Sequence, residues 1–156
     1  IPFCVDQFRC VTIDLPGHGN TSVEGDSDQY SMSATAAGLV EWLREELGID
    51  RCFLVGYSMG GRLALYLTVH YPQLFTAVVL ESASAGLQTT AERQARSRHD
   101  WALADQLEAD FPTFLTRWYE QHLFASLRQH PAFSEILRQR SQNRPAELAK
   151  SLRYMG

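Results

Sequence analysis

The chain has 156 residues, of which 45% are apolar and 21% charged, a balance typical of a soluble globular domain rather than a disordered segment. Its net charge of −4 argues against a nucleic-acid partner, and no apolar run reaches the ~20 residues that span a membrane. The three cysteines lack metal-ligand spacing, and the amino terminus lacks the basic start of a secretory signal. We therefore expect a reducing cytoplasm and no metal, with Cys10 and Cys52 buried in apolar runs.

The first half of the chain alternates short β-rich runs with helical patterns. The apolar runs after residue 50 are continuous, as in strands that are buried on both faces. Ser31 or Ser33 can cap the first helix, and Gly48 follows it as a stop signal. The predicted elements are, in order, a strand at Arg9–Leu15, a helix to about Leu47, a strand at Cys52–Val55, a helix at Gly60–Tyr71 and a strand at Ala77–Leu80. This order predicts three parallel strands of an α/β fold with helices on both faces.

The second half of the chain shows helical patterns and no further strand. The clearest pattern places Phe111, Phe114, Leu115 and Trp118 on one face of a helix, with Pro112 in its first turn. Two more helices are predicted, at about 134–142 and 146–154. The change from alternating elements to helices alone indicates a helical insertion after the last predicted strand.

The two predicted parts of the chain also differ in charge. Residues 1–84, a partial sheet core, carry a net charge of −6, and residues 85–156, a helical insertion that we call the lid, carry +2. Arginine supplies 13 of the 14 basic residues. Its planar fork of donors matches a carboxylate, so the lid is a candidate place to hold an anion. Most of these arginines are expected to be solvated charges instead.

Residues 56–60, Gly-Tyr-Ser-Met-Gly, match the G-x-S-x-G pattern between a predicted strand and a predicted helix. We call this segment the elbow. Its sharp turn would lift the Ser58 hydroxyl to the end of the sheet, and the Met59 N–H would face a developing oxyanion. Positions 56 and 60 are predicted to require a residue as small as glycine, so that the strand and the helix can pass closely.

A serine at such a turn needs a base, and the sequence does not place one. The acid and the histidine of this motif normally follow on later strands. None of the five histidines has that position, so each is predicted to be a surface or packing residue. They are His18, His70, His99, His122 and His130.

Two motifs, DLPGHG at 14–19 and GYSMGG at 56–61, resemble the α/β-hydrolase superfamily. Motifs of the lid are similar to one family within it, the 2-succinyl-6-hydroxy-2,4-cyclohexadiene-1-carboxylate synthases of menaquinone and phylloquinone biosynthesis. These motifs are ESASAGL at 81–87, Glu92-Arg93 with Arg96 and Asp100, Phe114-Leu115, Trp118-Tyr119, LFASL at 123–127 and RSQN at 140–143. The resemblance covers nearly the whole chain and corresponds to the middle of such an enzyme.

The resemblance implies a lyase that eliminates pyruvate from 2-succinyl-5-enolpyruvyl-6-hydroxy-3-cyclohexene-1-carboxylate, a small polycarboxylate, without a metal or organic cofactor. Ser58 would work with a histidine base that removes a carbon-bound proton, and the Met59 N–H would stabilise the developing charge. The residues implied to bind substrate are Tyr57 and Arg62 at the elbow, and Gln88, Arg96, Trp118 and Arg140 in the lid. The oligomeric state is left open.

Two other functions remain open from the sequence. An esterase or another serine hydrolase could use the same elbow, although its pocket would be mostly apolar and would not expose Arg62 and Arg96. A non-catalytic binding module on a hydrolase-like core is the third possibility. The histidine, the acid and the second oxyanion donor of the family would lie outside residues 1–156. We therefore expect these 156 residues alone to be inactive.

Overall fold

The structure, a computed structural model, describes residues 3–21, 23 and 26–155. Within these ranges the sheet has two parallel strands, β1 (Cys52–Tyr57) and β2 (Phe75–Glu81). Their register runs from Phe53 opposite Ala77 to Tyr57 opposite Glu81. The outer ends of the two predicted parts, residues 1, 2 and 156, lie outside the described residues. The boundary between residues 84 and 85 stays a prediction.

The helices of the first half have the predicted positions. Helix α1 (Met32–Glu41) begins after Ser31, whose Oγ accepts a hydrogen bond from the Ala34 N–H at 3.2 Å. It continues as a π-helical turn at Trp42–Glu46, and Gly48 then takes a left-handed φ of 62°. Helix α2 (Met59–His70) connects the two strands. Both predicted helices, including the serine cap and the glycine stop, are therefore confirmed.

All regular elements in the described part of the lid are helical, as predicted. Its helices are α3 (Thr90–Ala109), α4 (Phe111–Glu120), α5 (Ala125–Arg128), α6 (Phe133–Arg140) and α7 (Pro145–Met155). The lid has its own apolar core, in which Leu107 of α3 and Ala149 of α7 pack with α4. None of the helices in the described part of the chain combines the length and the apolarity that a bilayer span requires.

The predicted strand at residues 9–15 is wrong. These residues form no ladder with any described strand, and Val11 and Ile13 are 42% and 41% exposed. The Phe8 ring meets Phe53 of β1 edge to face at 5.6 Å, so the segment runs near the sheet without pairing with it. Cys10 is exposed rather than buried for the same reason. A β-rich run becomes a strand only where a neighbouring backbone accepts its hydrogen bonds.

The prediction that both strands are buried on two faces is also wrong. Helix α2 covers one face, where Leu54 packs against the core of Leu63 and Leu67. Side chains alternate along a strand, so Phe53 and Val55 point to the other face and are 60% and 73% exposed. Within the described residues no helix or strand packs on that face, although the Phe8 ring touches Phe53 there. The continuous apolar runs thus predicted the two strands correctly but not whether both of their faces are covered.

Candidate active site

Ser58 occupies the sharp turn between β1 and α2. Its φ of 51° and ψ of −116° place a non-glycine residue in a left-handed, strained conformation. Two backbone hydrogen bonds hold it: the Ser58 N–H donates to the Glu81 carbonyl at 2.9 Å, and the Arg62 N–H donates to the Ser58 carbonyl at 3.0 Å. The serine is exposed, and its side chain makes no cap to the helix. This geometry fits a nucleophile elbow that leaves the hydroxyl free to react.

The close packing at the elbow depends on Gly56 and Gly61. A Cβ on Gly56 would lie 2.5 Å from the Gly60 carbonyl oxygen, and a Cβ on Gly61 would lie 2.6 Å from the Ala83 Cβ. A Cβ on Gly60 would meet nothing within 4 Å. The prediction that Gly60 must be small is therefore wrong. The helix turns its second glycine, Gly61, toward the sheet.

The two residues that flank Ser58 have the positions that the motif requires. Met59 is the first residue of α2, where an N–H has no partner within the helix and the helix dipole is positive. Tyr57 ends β1 and is 60% exposed on the uncovered side of the sheet. Ser82, directly after β2, also has a φ of 51°. The ends of both strands thus carry a left-handed serine, which the sequence did not predict at position 82.

Arg62 lies one helical turn after Ser58 and is half-buried. Its Nη2 donates to the carbonyl of Met155 at 3.3 Å, so it caps the end of α7. Burial lowers the pKa of this guanidinium, as does the nearby charge of Arg96, whereas the carboxylate of Asp100 opposes the shift. The sequence predicted Arg62 at the elbow. It did not predict the contact with α7.

Arg96 and Asp100 form an ion pair across one turn of α3. The Arg96 Nε donates to the Asp100 Oδ2 at 2.7 Å. The arginine side chain is 48% exposed, while the aspartate side chain is 4% exposed. The charges of Arg96 and Asp100 both act on the pKa of Arg62, in opposite directions, so Arg62 of the core and Arg96 of the lid lie within electrostatic range of each other. We call these two residues the arginine pair.

Gln88 lies in the exposed loop before α3, which is held by backbone contacts. Arg93 donates through Nη1 to the carbonyls of Leu87 and Gln88, at 2.9 and 3.1 Å. Thr89 and Glu92 form a capping box at the start of α3. The loop therefore has a defined path, but no hydrogen bond in the described part of the chain joins the Gln88 side chain to the elbow.

Trp118 lies inside the lid rather than against the elbow. Its ring stacks on Phe114 with centroids 5.7 Å apart, and it lines a cavity of about 520 Å³ between α3 and α4. His99 and Arg117 line the same cavity. Among the described residues, no aromatic contact or hydrogen bond connects Trp118 to Ser58, so its role in substrate binding stays a prediction.

Arg140 ends α6 near the loop at residues 16–21. In this loop the Gly19 N–H donates to the Asn143 Oδ1 at 2.8 Å. The His18 ring is half-buried, with Nδ1 3.2 Å from the Pro16 carbonyl oxygen. Burial lowers the pKa of His18, and the charge of Arg140 lowers it further. The prediction of His18 as a packing residue fits this environment, but the closeness to Arg140 joins segments too far apart in the sequence to be foreseen.

The structure thus places Tyr57, Ser58 and Met59 at the elbow, Arg62 one helical turn later within range of the charge of Arg96, and Arg140 beside another loop. No group of three or more His, Cys, Asp or Glu side chains that could hold a metal ion occurs in the described ranges. The catalytic and binding roles of the predicted site residues stay predictions.

Comparisons with known proteins agree with this fold. A family model described as the alpha/beta hydrolase fold matches residues 1–154. The chain is 39% identical over 153 residues to a 2-succinyl-6-hydroxy-2,4-cyclohexadiene-1-carboxylate synthase of Citrobacter koseri, covering 94% of this chain and 56% of the relative. It is 36% identical over 151 residues to the synthase of Escherichia coli O1:K1 / APEC, again covering 94% and 56%.

A solved structure also supports the similarity to this family. The structure of MenH from S. aureus matches with a TM-score of 0.80 at 32% identity, covering 91% of this chain and 54% of that one. The fold predicted from the sequence is confirmed, and so is the resemblance to the synthases. The chain spans about half the length of the relatives that it matches.

Proposed function

Because this chain belongs to the α/β-hydrolase fold family, in which one scaffold serves many reactions, we propose its activity from the site and not from the fold. We propose that the chain is the elbow and lid part of a 2-succinyl-6-hydroxy-2,4-cyclohexadiene-1-carboxylate synthase, a lyase that releases pyruvate. The observation that carries the proposal is the strained Ser58 with Arg62, one member of the arginine pair, one helical turn away, in a chain similar to synthases of that name.

The chemistry assigns each elbow residue a role. Ser58 and a histidine remove a carbon-bound proton, and electrons then move through the ring to expel pyruvate as its enolate. The Met59 N–H stabilises the negative charge that develops on oxygen, in the field of the α2 amino terminus. The histidine, the acid and a second oxyanion donor belong to segments of the complete protein outside residues 1–156. We therefore expect these 156 residues alone to release no pyruvate.

Substrate binding follows from charge. A substrate with several carboxylates needs fixed cationic donors, and Arg62, one helical turn after Ser58, and Arg96, whose charge acts on Arg62, are the candidates. Tyr57, Gln88, Trp118 and Arg140 complete the proposed binding set. The reaction uses no metal or organic cofactor, and neither a nucleic acid nor a membrane takes part. The three cysteines are free, which supports the cytoplasm as the compartment.

The test is to supply 2-succinyl-5-enolpyruvyl-6-hydroxy-3-cyclohexene-1-carboxylate to the complete protein and to follow pyruvate with lactate dehydrogenase and NADH. We expect one pyruvate per substrate and no turnover of a p-nitrophenyl ester. Ester hydrolysis without pyruvate would identify a serine hydrolase instead. Binding of the substrate without either reaction would identify a binding module.

A further inference from the structure

Asp100 is unusual among the acidic residues of the described chain because it is almost fully buried, at 3% exposure. It lies on the face of α3 that packs into the lid core, where Ala104 and Leu107 follow at the next turns. The other buried positions on this face are thus apolar. A carboxylate there loses its hydration and must be compensated by a partner charge.

The partner of Asp100 is mostly outside the core. Arg96 keeps 48% of its side chain exposed, and it binds Asp100 through Nε alone, at 2.7 Å from Oδ2. In the described part of the chain, the two terminal nitrogens of Arg96 donate to no other residue. These nitrogens form the end of the guanidinium that binds a carboxylate through two parallel hydrogen bonds.

The ion pair of Arg96 and Asp100 is expected to add little to stability by itself. Burying an ion pair often gains no more than an apolar replacement of similar volume, because desolvation offsets the attraction. Holding one long, flexible side chain in a fixed orientation is a benefit that an apolar residue at position 100 cannot supply. The Asp100 carboxylate also acts on the charge of Arg62, whose pKa it raises, so two cations and one anion leave one net positive charge in this group.

We propose that Asp100 is a positioning residue: by binding the Arg96 Nε, it orients the free end of that guanidinium toward a substrate carboxylate that Arg62 also attracts. The inference deepens the proposed function and rests on it for the identity of the substrate. Asp100 itself does not touch the substrate. Its effect passes entirely through Arg96.

The test measures the dissociation constant of citrate, a small tricarboxylate, by calorimetry with the complete protein at low salt, together with KM and kcat for pyruvate release. We expect Asp100→Asn to weaken citrate binding and to raise KM about tenfold, while kcat changes less than about twofold. The direction of the change in citrate affinity distinguishes a positioning role from a simple charge effect. If Asp100 merely reduced the local positive charge, its neutralisation would tighten citrate binding, and the proposal would be overturned.

A double-mutant cycle separates positioning from a general structural role. In an Arg96→Ala background, Asp100→Asn should change the citrate dissociation constant by less than about twofold, because the residue through which it acts is gone. Independent, multiplicative effects of the two substitutions would contradict the proposal. Asp105→Asn is the matched control. Asp105 lies on α3 like Asp100 and pairs with Arg153 of α7, but it remains 70% exposed. Asp105→Asn should leave citrate binding unchanged.

A second variant tests the position of the carboxylate at constant charge. Asp100→Glu keeps the charge and moves the carboxylate by one methylene, so it should weaken citrate binding although the charge count is unchanged. Wild-type binding by Asp100→Glu would also overturn the proposal. If wild-type protein binds citrate with the expected coupling but releases no pyruvate, the proposed reaction fails and the positioning role stands. If wild-type protein binds no citrate, the positioning role fails.

Discussion

The backbone N–H of Ser58 donates to the carbonyl of Glu81 at 2.9 Å, which extends the hydrogen bonding of β1 with β2 into the elbow. This bond fixes the strained turn to the end of the neighbouring strand. It also places Ser82, the second left-handed serine, next to the proposed nucleophile along that edge. The rigidity of the elbow therefore depends on β2 as well as on the strand and helix that form the turn.

The two adjacent glycines of α2 should respond to alanine in opposite ways. In Gly61→Ala the new Cβ would meet the Ala83 Cβ at 2.6 Å, and we expect the free energy of unfolding to fall by about 2 kcal/mol. Gly60→Ala is the matched control, with nothing within 4 Å of its Cβ, and should raise that free energy by up to about 1 kcal/mol. Urea unfolding of both variants tests this. A more stable Gly61→Ala protein would contradict the packing described for the elbow.

Tyr30 should tie the first half of the chain to α7. Its buried hydroxyl donates to the Glu147 carboxylate, and burial together with this carboxylate raises the tyrosine pKa to about 12. Tyr30→Phe removes the donor, so we expect the free energy of unfolding to fall by about 2 kcal/mol at neutral pH. The loss should diminish in acid, where Glu147, whose pKa is lowered by the Tyr30 hydroxyl and Lys150, becomes protonated. A loss that stays equal as the pH falls from 7 through the lowered pKa of Glu147 would show that the carboxylate is not involved.

His18 should make the fold sensitive to mild acid. Burial lowers its pKa below 6.5, so the folded state disfavours the protonated ring. The neutral His18 ring therefore makes its full contribution to the free energy of unfolding above pH 6.5. This contribution is lost as the pH falls through the lowered pKa of the folded state. Between about pH 7.5 and pH 5 the wild type should lose more unfolding free energy than His18→Gln. The exposed His122 provides the control, because His122→Gln should lose as much as the wild type.

Local features of the fold were predictable from the sequence, and long-range ones were not. The caps and stop of α1 and the helix spacing of α4 depend on residues a few positions apart. Strand burial and pairing depend on which backbone lies alongside, and that is why residues 9–15 and the outer face of β1 were mispredicted. At the site, the motif located Ser58 and Met59. The burial of Asp100 and the neighbours of His18 arise from tertiary packing that no local pattern encodes.

Arginine chemistry at position 96 should not be replaceable by lysine. Arg96→Lys keeps the charge but loses the planar fork that binds Asp100 with one nitrogen and leaves two for a ligand. We expect KM for the polycarboxylate substrate to rise about tenfold in the complete protein. Arg98→Lys, an exposed neighbour on the same helix, is the control and should leave KM unchanged. Unchanged KM in Arg96→Lys would remove Arg96 from the binding site.

Pyruvate release by Ser58→Ala in the complete protein, compared with wild type and with Ser134→Ala, an exposed serine of α6, decides whether the elbow serine takes part in the reaction. Removing the hydroxyl from the strained elbow should lower kcat by about 10³-fold or more and leave citrate binding within about twofold of wild type. Ser134→Ala should behave as wild type. Wild-type kcat in Ser58→Ala would show that the elbow serine does not take part in the reaction.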